Sequence, residues 1–230
     1  MIPIFIVRYG NPEVEDRCIE AVKKYAGESR GYPFVVYDNA SEDLSLATLW
    51  NKLVYFWFEI GAGANTPDPA FVLLNTDCFL QSDITLPAMK TALYAHPRHG
   101  FAGPMTDHAG SRQSIADETW KSMSGAENLG DSDGPFAGKV FRGDYLSGFC
   151  LMVRLAAFLE AGRFPEDAPF YGQESGLIHK ALIRGWTTVM CLDQYVEHLG
   201  GATCQKYMDQ ATERERGGAW FRDFTLGKGY

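Results

Sequence analysis

The sequence lacks most of the features that assign a protein to a specialised class at sight. Its five cysteines, Cys18, Cys78, Cys150, Cys191 and Cys204, form no Cys-x-x-Cys pair. That leaves reduced, mostly buried thiols and a cytosolic compartment as the expectation. No Lys/Arg cluster relieves a formal net charge of −8, so no nucleic-acid surface is expected, and a neutral or cation-screened ligand fits better. No apolar run approaches a membrane span, and the strand-like Ile2–Val7 stretch follows no basic leader. Neither export nor insertion is therefore expected. The glycines of Gly61-Ala62-Gly63-Ala64 follow a helical pattern instead of opening one, which fits a helix end and not a dinucleotide fingerprint. There is no internal repeat and no low-complexity segment.

What is present is an ordinary globular composition, 46% hydrophobic and 22% charged over 230 residues, enough for one well-buried domain or a domain with an added lobe. The centre of the pattern is Phe71 to Leu80, where four apolar residues stop at Asn75-Thr76-Asp77. The run is too short for a helix and reads as a strand covered on both faces. Ligands of open α/β sheets lie beyond the carboxyl ends of such strands, so Asp77 would point into a ligand crevice and could hold a metal. Asn and Asp are also the commonest turn formers, so a plain turn is the competing reading.

Ile2 to Val7 reads as a first strand, ending at Arg8-Tyr9-Gly10. Asn11-Pro12 then opens a helix with Val14, Cys18, Val22 and Tyr25 on one face. A second strand, Phe34 to Tyr37, runs into the turn-rich Asp38–Asp43 segment. The next helix spans about Ser45 to Ile60, with Leu46, Leu49, Leu53, Phe56 and Ile60 inward. Ile84 to Tyr94 reads as a helix and Gly100 to Pro104 as a short strand and turn. His96-Pro97-Arg98-His99 reads as a surface turn, because Pro97 keeps the histidines off one regular helical face. From Thr106 to Arg142 the pattern dissolves into Gly, Ser, Asp and Asn, as in a long binding loop or an insertion. Tyr145 to Val153 reads as a buried strand, Leu155 to Glu160 and Gln173 to Arg184 as helices, and Val189 to Leu192 as a strand. The tail from Cys204 to Arg216 reads as a polar helix. Alternating strands and helices followed by a mixed half give a single α/β domain with a mainly parallel sheet.

Five stretches, in order, resemble the family 2 inverting glycosyltransferases of the GT-A fold: Val35–Asp43 (VVYDNASED), Leu73–Cys78 (LLNTDC), Leu146–Arg154 (LSGFCLMVR), Gly162–Trp186 and Tyr195–Thr203 (YVEHLGGAT). The resemblance covers roughly residues 2 to 104 and 143 to 203. It implies a nucleotide-sugar-binding half over 1–104, an acceptor-side half over 105–203 containing the long loop 106–142, and a helical tail over 204–230. It further implies a nucleotide-diphosphate sugar donor, UDP by default, held by Arg8, Tyr9, Asp38, Asn39, Asn51, Asn75 and Thr76, with Asp38 accepting an N–H of the base. Asp77 and His198 would hold Mn²⁺ or Mg²⁺, an imidazole favouring Mn²⁺. Gly103, Pro104, Ser147, Gly148 and Gln173 would line the acceptor and donor-sugar side.

Inversion requires a base that takes the acceptor's hydroxyl proton during a single displacement. The family pattern of Glu-Asp is here Gln173-Glu174, which makes Glu174 the base, one methylene longer and beside an uncharged neighbour. Asn75 stands where many relatives carry a second Asp, which predicts weaker metal binding. The acceptor would be a glycan, a lipid carrier reached by peripheral membrane contact, a protein or a small molecule. The reading from a different class is a nucleotide-sugar or glycan-binding protein that keeps the fold without turnover. Glu174 separates the two: it either lies within hydrogen-bond reach of an acceptor pocket beside the donor site, or is turned into a salt bridge or buried against the sheet. Nucleotidyl transfer would need a Gly-rich, Arg/Lys-bearing N-terminal loop that the chain does not show. A Cys150 nucleophile has no base near it in sequence.

Overall fold

The computed structural model describes residues 1–39, 44–61, 63, 66–125, 134–143, 145–202 and 209–227. The first half alternates β1 (Ile4–Arg8), α1 (Pro12–Tyr25), β2 (Phe34–Asp38), α2 (Leu46–Tyr55), β3 (Ala70–Leu74), β4 (Cys78–Phe79), α3 (Thr85–Tyr94) and β5 (His99–Met105). The second half adds α4 (Asp117–Ser124), β6 (Val140–Arg142), β7 (Cys150–Arg154), α5 (Leu155–Glu160), α6 (Gln173–Leu182), β8 (Thr187–Tyr195), β9 (Glu197–His198) and α7 (Gln210–Thr225).

Seven strands form one sheet in the order β2-β1-β3-β7-β5-β8-β6. β1 pairs in parallel with β2 and β3, and β5 with β8, while β7 lies antiparallel between β3 and β5 and β6 antiparallel on β8. Thus β1, β2, β3, β5 and β8 run one way and only β6 and β7 run back, the mainly parallel sheet expected. Alternate residues of each strand feed two cores. Phe5, Phe71, Leu73, Leu151 and Val153 pack with α2, α5 and α6, whereas Ile4, Ile6, Val72, Leu74 and Met152 pack with α1 and α3. Double coverage is why Phe71 to Leu74 is apolar throughout. The described cysteines, Cys18, Cys78, Cys150 and Cys191, are buried and unpaired.

Several sequence expectations shift. The helix through Ser45 is capped by the Ser45 hydroxyl, which accepts from Thr48 N–H at 3.1 Å. Beyond Tyr55 it widens into a π-type turn over Phe56–Ile60. The wider turn rephases the helix face, burying Phe58 and leaving Phe56 59% exposed rather than inward. The strand expected from Tyr145 begins only at Cys150, and Tyr145 to Phe149 form the turn leading into it. His99 belongs to β5 and is buried, its Nδ1 bonded to Ala92 O at 2.8 Å, so only His96 to Arg98 form the surface turn. The stretch from Thr106 to Arg142 contains α4 and β6, both short. The first part of the expected tail helix, from Cys204 to Met208, lies outside the described residues; the described helix runs Gln210–Thr225, past the expected end at Arg216. The expected turn and cap residues Ser41, Glu42 and Asp43 lie outside the described residues.

Candidate active site

A cavity of about 570 Å³ opens beyond the carboxyl ends of β1 and β3 and gathers Tyr9, Asn75, Thr76, Asp77, Ser147, Gly148, Glu174 and His198 along one wall system. Register explains the meeting of Asp77 with His198, which are more than a hundred positions apart. β4 and β9 form a small antiparallel ribbon that sets Cys78 opposite His198, and Leu199 N–H donates to Asp77 O at 3.0 Å. A salt bridge from Arg17 to Glu197 at 2.7 Å, with the Arg17 guanidinium 3.8 Å over the Phe79 ring, fastens the ribbon to α1.

Asp77 is buried, 3% exposed. Its Oδ2 accepts from Gly201 N–H at 2.6 Å and Ala202 N–H at 3.0 Å, and its Oδ1 stands 3.4 Å from His198 Nε2. Burial acts to raise the Asp77 pKa, but the His198 ring and the Gly201 N–H together outweigh it and hold the carboxyl below the ordinary range. The imidazole is oriented from two sides. Phe149 stacks on it at 5.1 Å between centroids, and Nδ1 bonds the carbonyl oxygen of His108. A carbonyl can only accept, so Nδ1 carries a hydrogen, and Nε2 is the ring nitrogen that faces Asp77 Oδ1. An Asp77 oxygen and His198 Nε2 facing each other, with the far ring nitrogen committed to a carbonyl, match the placement of a metal-ligand carboxylate and histidine, Nε2 giving up any proton to the cation. Their 3.4 Å separation is close to the roughly 3 Å between adjacent ligands of a cation with bonds of about 2.1 Å. The donor set therefore fits a small divalent cation. Among the described residues no third His, Cys, Asp or Glu completes a metal cluster, so the remaining ligands would be substrate oxygens and water.

Glu174 lies in the first turn of α6, and its carboxylate lies against the turn at Gly148. A Cβ at position 148 would stand 2.0 Å from Glu174 Oε1, so only glycine leaves that place to the carboxylate. Desolvation pushes the Glu174 carboxyl up to about 7. Among the described residues it forms no ion pair and sits at the cavity wall. A half-buried, unpaired carboxyl with a pKa near neutrality suits general-base chemistry.

Other expected residues stand behind the cavity or away from it. Arg8 Nε bonds Glu15 Oε2 at 2.8 Å, while Glu15 Oε1 accepts the N–H groups of Tyr9, Gly10 and Asn11 at 2.7, 2.9 and 3.2 Å. Glu15 thereby caps the start of α1, and the Asn11 side chain expected to cap it donates instead to Ala202 O at 3.3 Å. Asp38 is exposed at the end of edge strand β2. Asn39 spans its own loop through Leu44, donating to its carbonyl at 3.0 Å and accepting its N–H at 3.3 Å. Asn51 faces away from the cavity and bonds Phe164 O at 3.0 Å and Glu166 Oε1 at 2.9 Å, pinning α2 to the loop before α6. Gly103 and Pro104 lie in buried β5 behind the wall, and Gln173 is 1% exposed in the core side of α6.

Two walls were not named by residue in the sequence reading, the first of them read only as part of a binding loop or insertion over 106–142. One is the Asp107–Ser111 loop, whose Asp107, His108 and Ser111 face the cavity. The other is α7, which presents Arg214, Gly217, Gly218 and Phe221. Their spacing from Gln210, at four, seven, eight and eleven residues, is a helical stripe, and it was the available signal that this helix covers something. Gln210 Nε2 reaches Gly201 O at 2.7 Å, next to the Asp77 loop. At the other end the Trp220 ring lies on Gly172 and Gly176, where added Cβ atoms would come within 2.8 and 2.9 Å of it.

No protein-family model matches the sequence, and no curated protein matches it. Among solved structures the chain is similar to a mannosyltransferase of Pyrobaculum calidifontis in complex with GDP-Man and Mn²⁺, at 12% identity and TM-score 0.51, covering 86% of this chain and 56% of that one. It thus spans little more than half of that relative's length. It is also similar to glucosyl-3-phosphoglycerate synthase of Mycobacterium tuberculosis in complex with Mn²⁺, UDP and phosphoglyceric acid, at 14% identity and TM-score 0.50, covering 99% of this chain and 78% of that one. A mycobacterial protein aligns at 14% identity and TM-score 0.52 over 99% of this chain and 74% of its own. The likeness is one of fold: the chain has the GT-A-like α/β architecture of nucleotide-sugar glycosyltransferases. Among the described residues no helix is long and apolar enough to cross a membrane.

Proposed function

We propose that the protein is a metal-assisted inverting glycosyltransferase that moves a sugar from a nucleoside diphosphate, UDP by default, to an acceptor hydroxyl. The observation that carries this reading is the convergence on one cavity of the Asp77–His198 pair, 3.4 Å apart, with Glu174, whose pKa is raised to about 7. Asp77 and His198 would hold Mn²⁺ or Mg²⁺, which supplies charge neutralisation for the departing diphosphate. Glu174 accepts the proton of the acceptor hydroxyl as its oxygen bonds to the anomeric carbon, and the bond from that carbon to the diphosphate oxygen breaks on the opposite side. A pKa near 7 leaves this carboxylate basic enough to take the proton and ionised in a useful fraction at neutral pH. Tyr9, Asn75 and Thr76 line the donor side, and Ser147 and Gly148 the sugar side.

The binding-protein alternative predicts Glu174 in an ion pair or turned into the core, whereas its place at the cavity wall favours turnover. Calorimetric titration with UDP-, GDP- and dTDP-sugars, with and without Mn²⁺, tests the reading. Cation-dependent binding of one donor is expected, and cation-independent binding, or none, would overturn it.

A further inference from the structure

The Asp107–Ser114 loop carries a buried polar network with no part in the chemistry above. Gln113 is fully buried, and its amide has one orientation that satisfies its partners. Nε2 donates to Pro104 O at 2.8 Å, while Oε1 accepts from Ser147 N–H at 2.7 Å and from the Ser111 hydroxyl at 3.0 Å. Gly103 makes the room, since a Cβ there would stand 2.7 Å from Nε2. The orientation of the amide fixes the direction of the Ser111 proton. Ser111 gives its only proton to Gln113, so its oxygen can only accept, from Gln113 N–H at 3.3 Å and from the Ser147 hydroxyl at 3.4 Å. In this structure the Ser147 hydroxyl donates to that oxygen, its proton pointing back into the protein. The hydrogen-bonding capacity it retains toward the cavity, which both serines line, is lone pairs.

We propose that Ser147 Oγ accepts a hydrogen bond from one hydroxyl of the transferred sugar, and that Gln113 and Ser111 are positioning residues that set its polarity. The inference rests on the nucleotide-sugar reading of the cavity. Ser147 adjoins Gly148, against which Glu174 lies, and Ser111 ends the loop whose His108 carbonyl orients His198. The pair thus lines the same cavity as the base and the cation ligands, adjoining Gly148 on one side and the His108 loop on the other. A site built to bond a hydroxyl discriminates against the analogue lacking it, here on the order of 10-fold for one neutral hydrogen bond.

The test uses the nucleotide sugar that binds in the donor panel, its singly deoxygenated and singly fluorinated analogues, and the bare nucleoside diphosphate. Dissociation constants are measured by calorimetry for wild type, Ser147→Ala and Ser111→Ala. Fluorine cannot donate, so at one ring position both the deoxy and the fluoro analogue should bind wild type on the order of 10-fold more weakly than the parent. Ser147→Ala should bind all three alike. Ser111→Ala releases the Ser147 proton, so the fluoro analogue should recover and the deoxy analogue should not. Affinity for the bare diphosphate should be the same in all three proteins, which a general structural defect would not allow. Wild type that tolerates every deoxy analogue, or discrimination that survives Ser147→Ala, overturns the proposal while leaving the glycosyltransferase reading intact. Absence of any nucleotide binding overturns that reading, and this inference with it.

Discussion

Replacing Glu174 by Gln should separate stability from activity in a pH-dependent way. The carboxyl ionises near pH 7 in the folded chain against an ordinary value of 4.5. Below about pH 4 it is protonated in both folded and unfolded chains and contributes nothing. Between those values the unfolded chain ionises first, so stability falls as pH rises, and above pH 7 the full cost is present. The gap corresponds to about 3 kcal/mol, reduced to about 2 kcal/mol because cavity water reaches the half-buried side chain. Gln keeps the shape and removes the charge. The variant should therefore match wild type near pH 4 and exceed it by about 2 kcal/mol near pH 8, in urea titrations followed by tryptophan fluorescence. Other titrating groups, Asp77 included, are common to both proteins and cancel in the difference. Turnover should fall by roughly 10² to 10⁴ with nucleotide binding retained. A stability difference independent of pH, or one that grows toward acid, would refute the argument that Glu174 is held against its ionisation.

Gly148→Ala should displace the Glu174 carboxylate, costing about 1 to 3 kcal/mol by overpacking and lowering turnover more than donor affinity, as thermal melts and steady-state kinetics would show. Asp77→Asn should weaken Mn²⁺-dependent donor binding on the order of 10-fold or more, read by calorimetry, with the thermal melt unchanged in the absence of the cation. Trp220→Ala removes the ring seated on Gly172 and Gly176 and should loosen α7 by about 2 kcal/mol, below the 3 to 5 kcal/mol of a fully buried aromatic. Limited proteolysis should then cut within α7 before the sheet unfolds.

The parts of the fold legible in the sequence were those where burial leaves a pattern. Phe71 to Leu74 is apolar because both sheet faces are covered, and α1 shows its Cys18 and Val22 stripe because one face meets the core. The pairing of Asp77 with His198 needed the family resemblance, since the ribbon that joins them is two residues long on each side. Gln113 left no trace, because a buried amide satisfied by a backbone carbonyl, a backbone N–H and a hydroxyl has no periodicity. Asn39 and Asn51 looked like ligand contacts by position, yet their amides are spent on Leu44, Phe164 and Glu166, partners that only the folded chain brings near. The exposed Phe56 escaped for a different reason: the π-type turn breaks the 3.6-residue spacing on which the helical reading relied.

Donor hydrolysis followed by proton NMR tests the central claim most directly. In the presence of Mn²⁺, an α-linked nucleotide sugar should be cleaved slowly, releasing first the β-anomer of the free sugar, and Glu174→Gln should abolish the reaction. Tight donor binding without cleavage, unaffected by Glu174→Gln, or release of the α-anomer, would contradict an inverting site built on Asp77, His198 and Glu174.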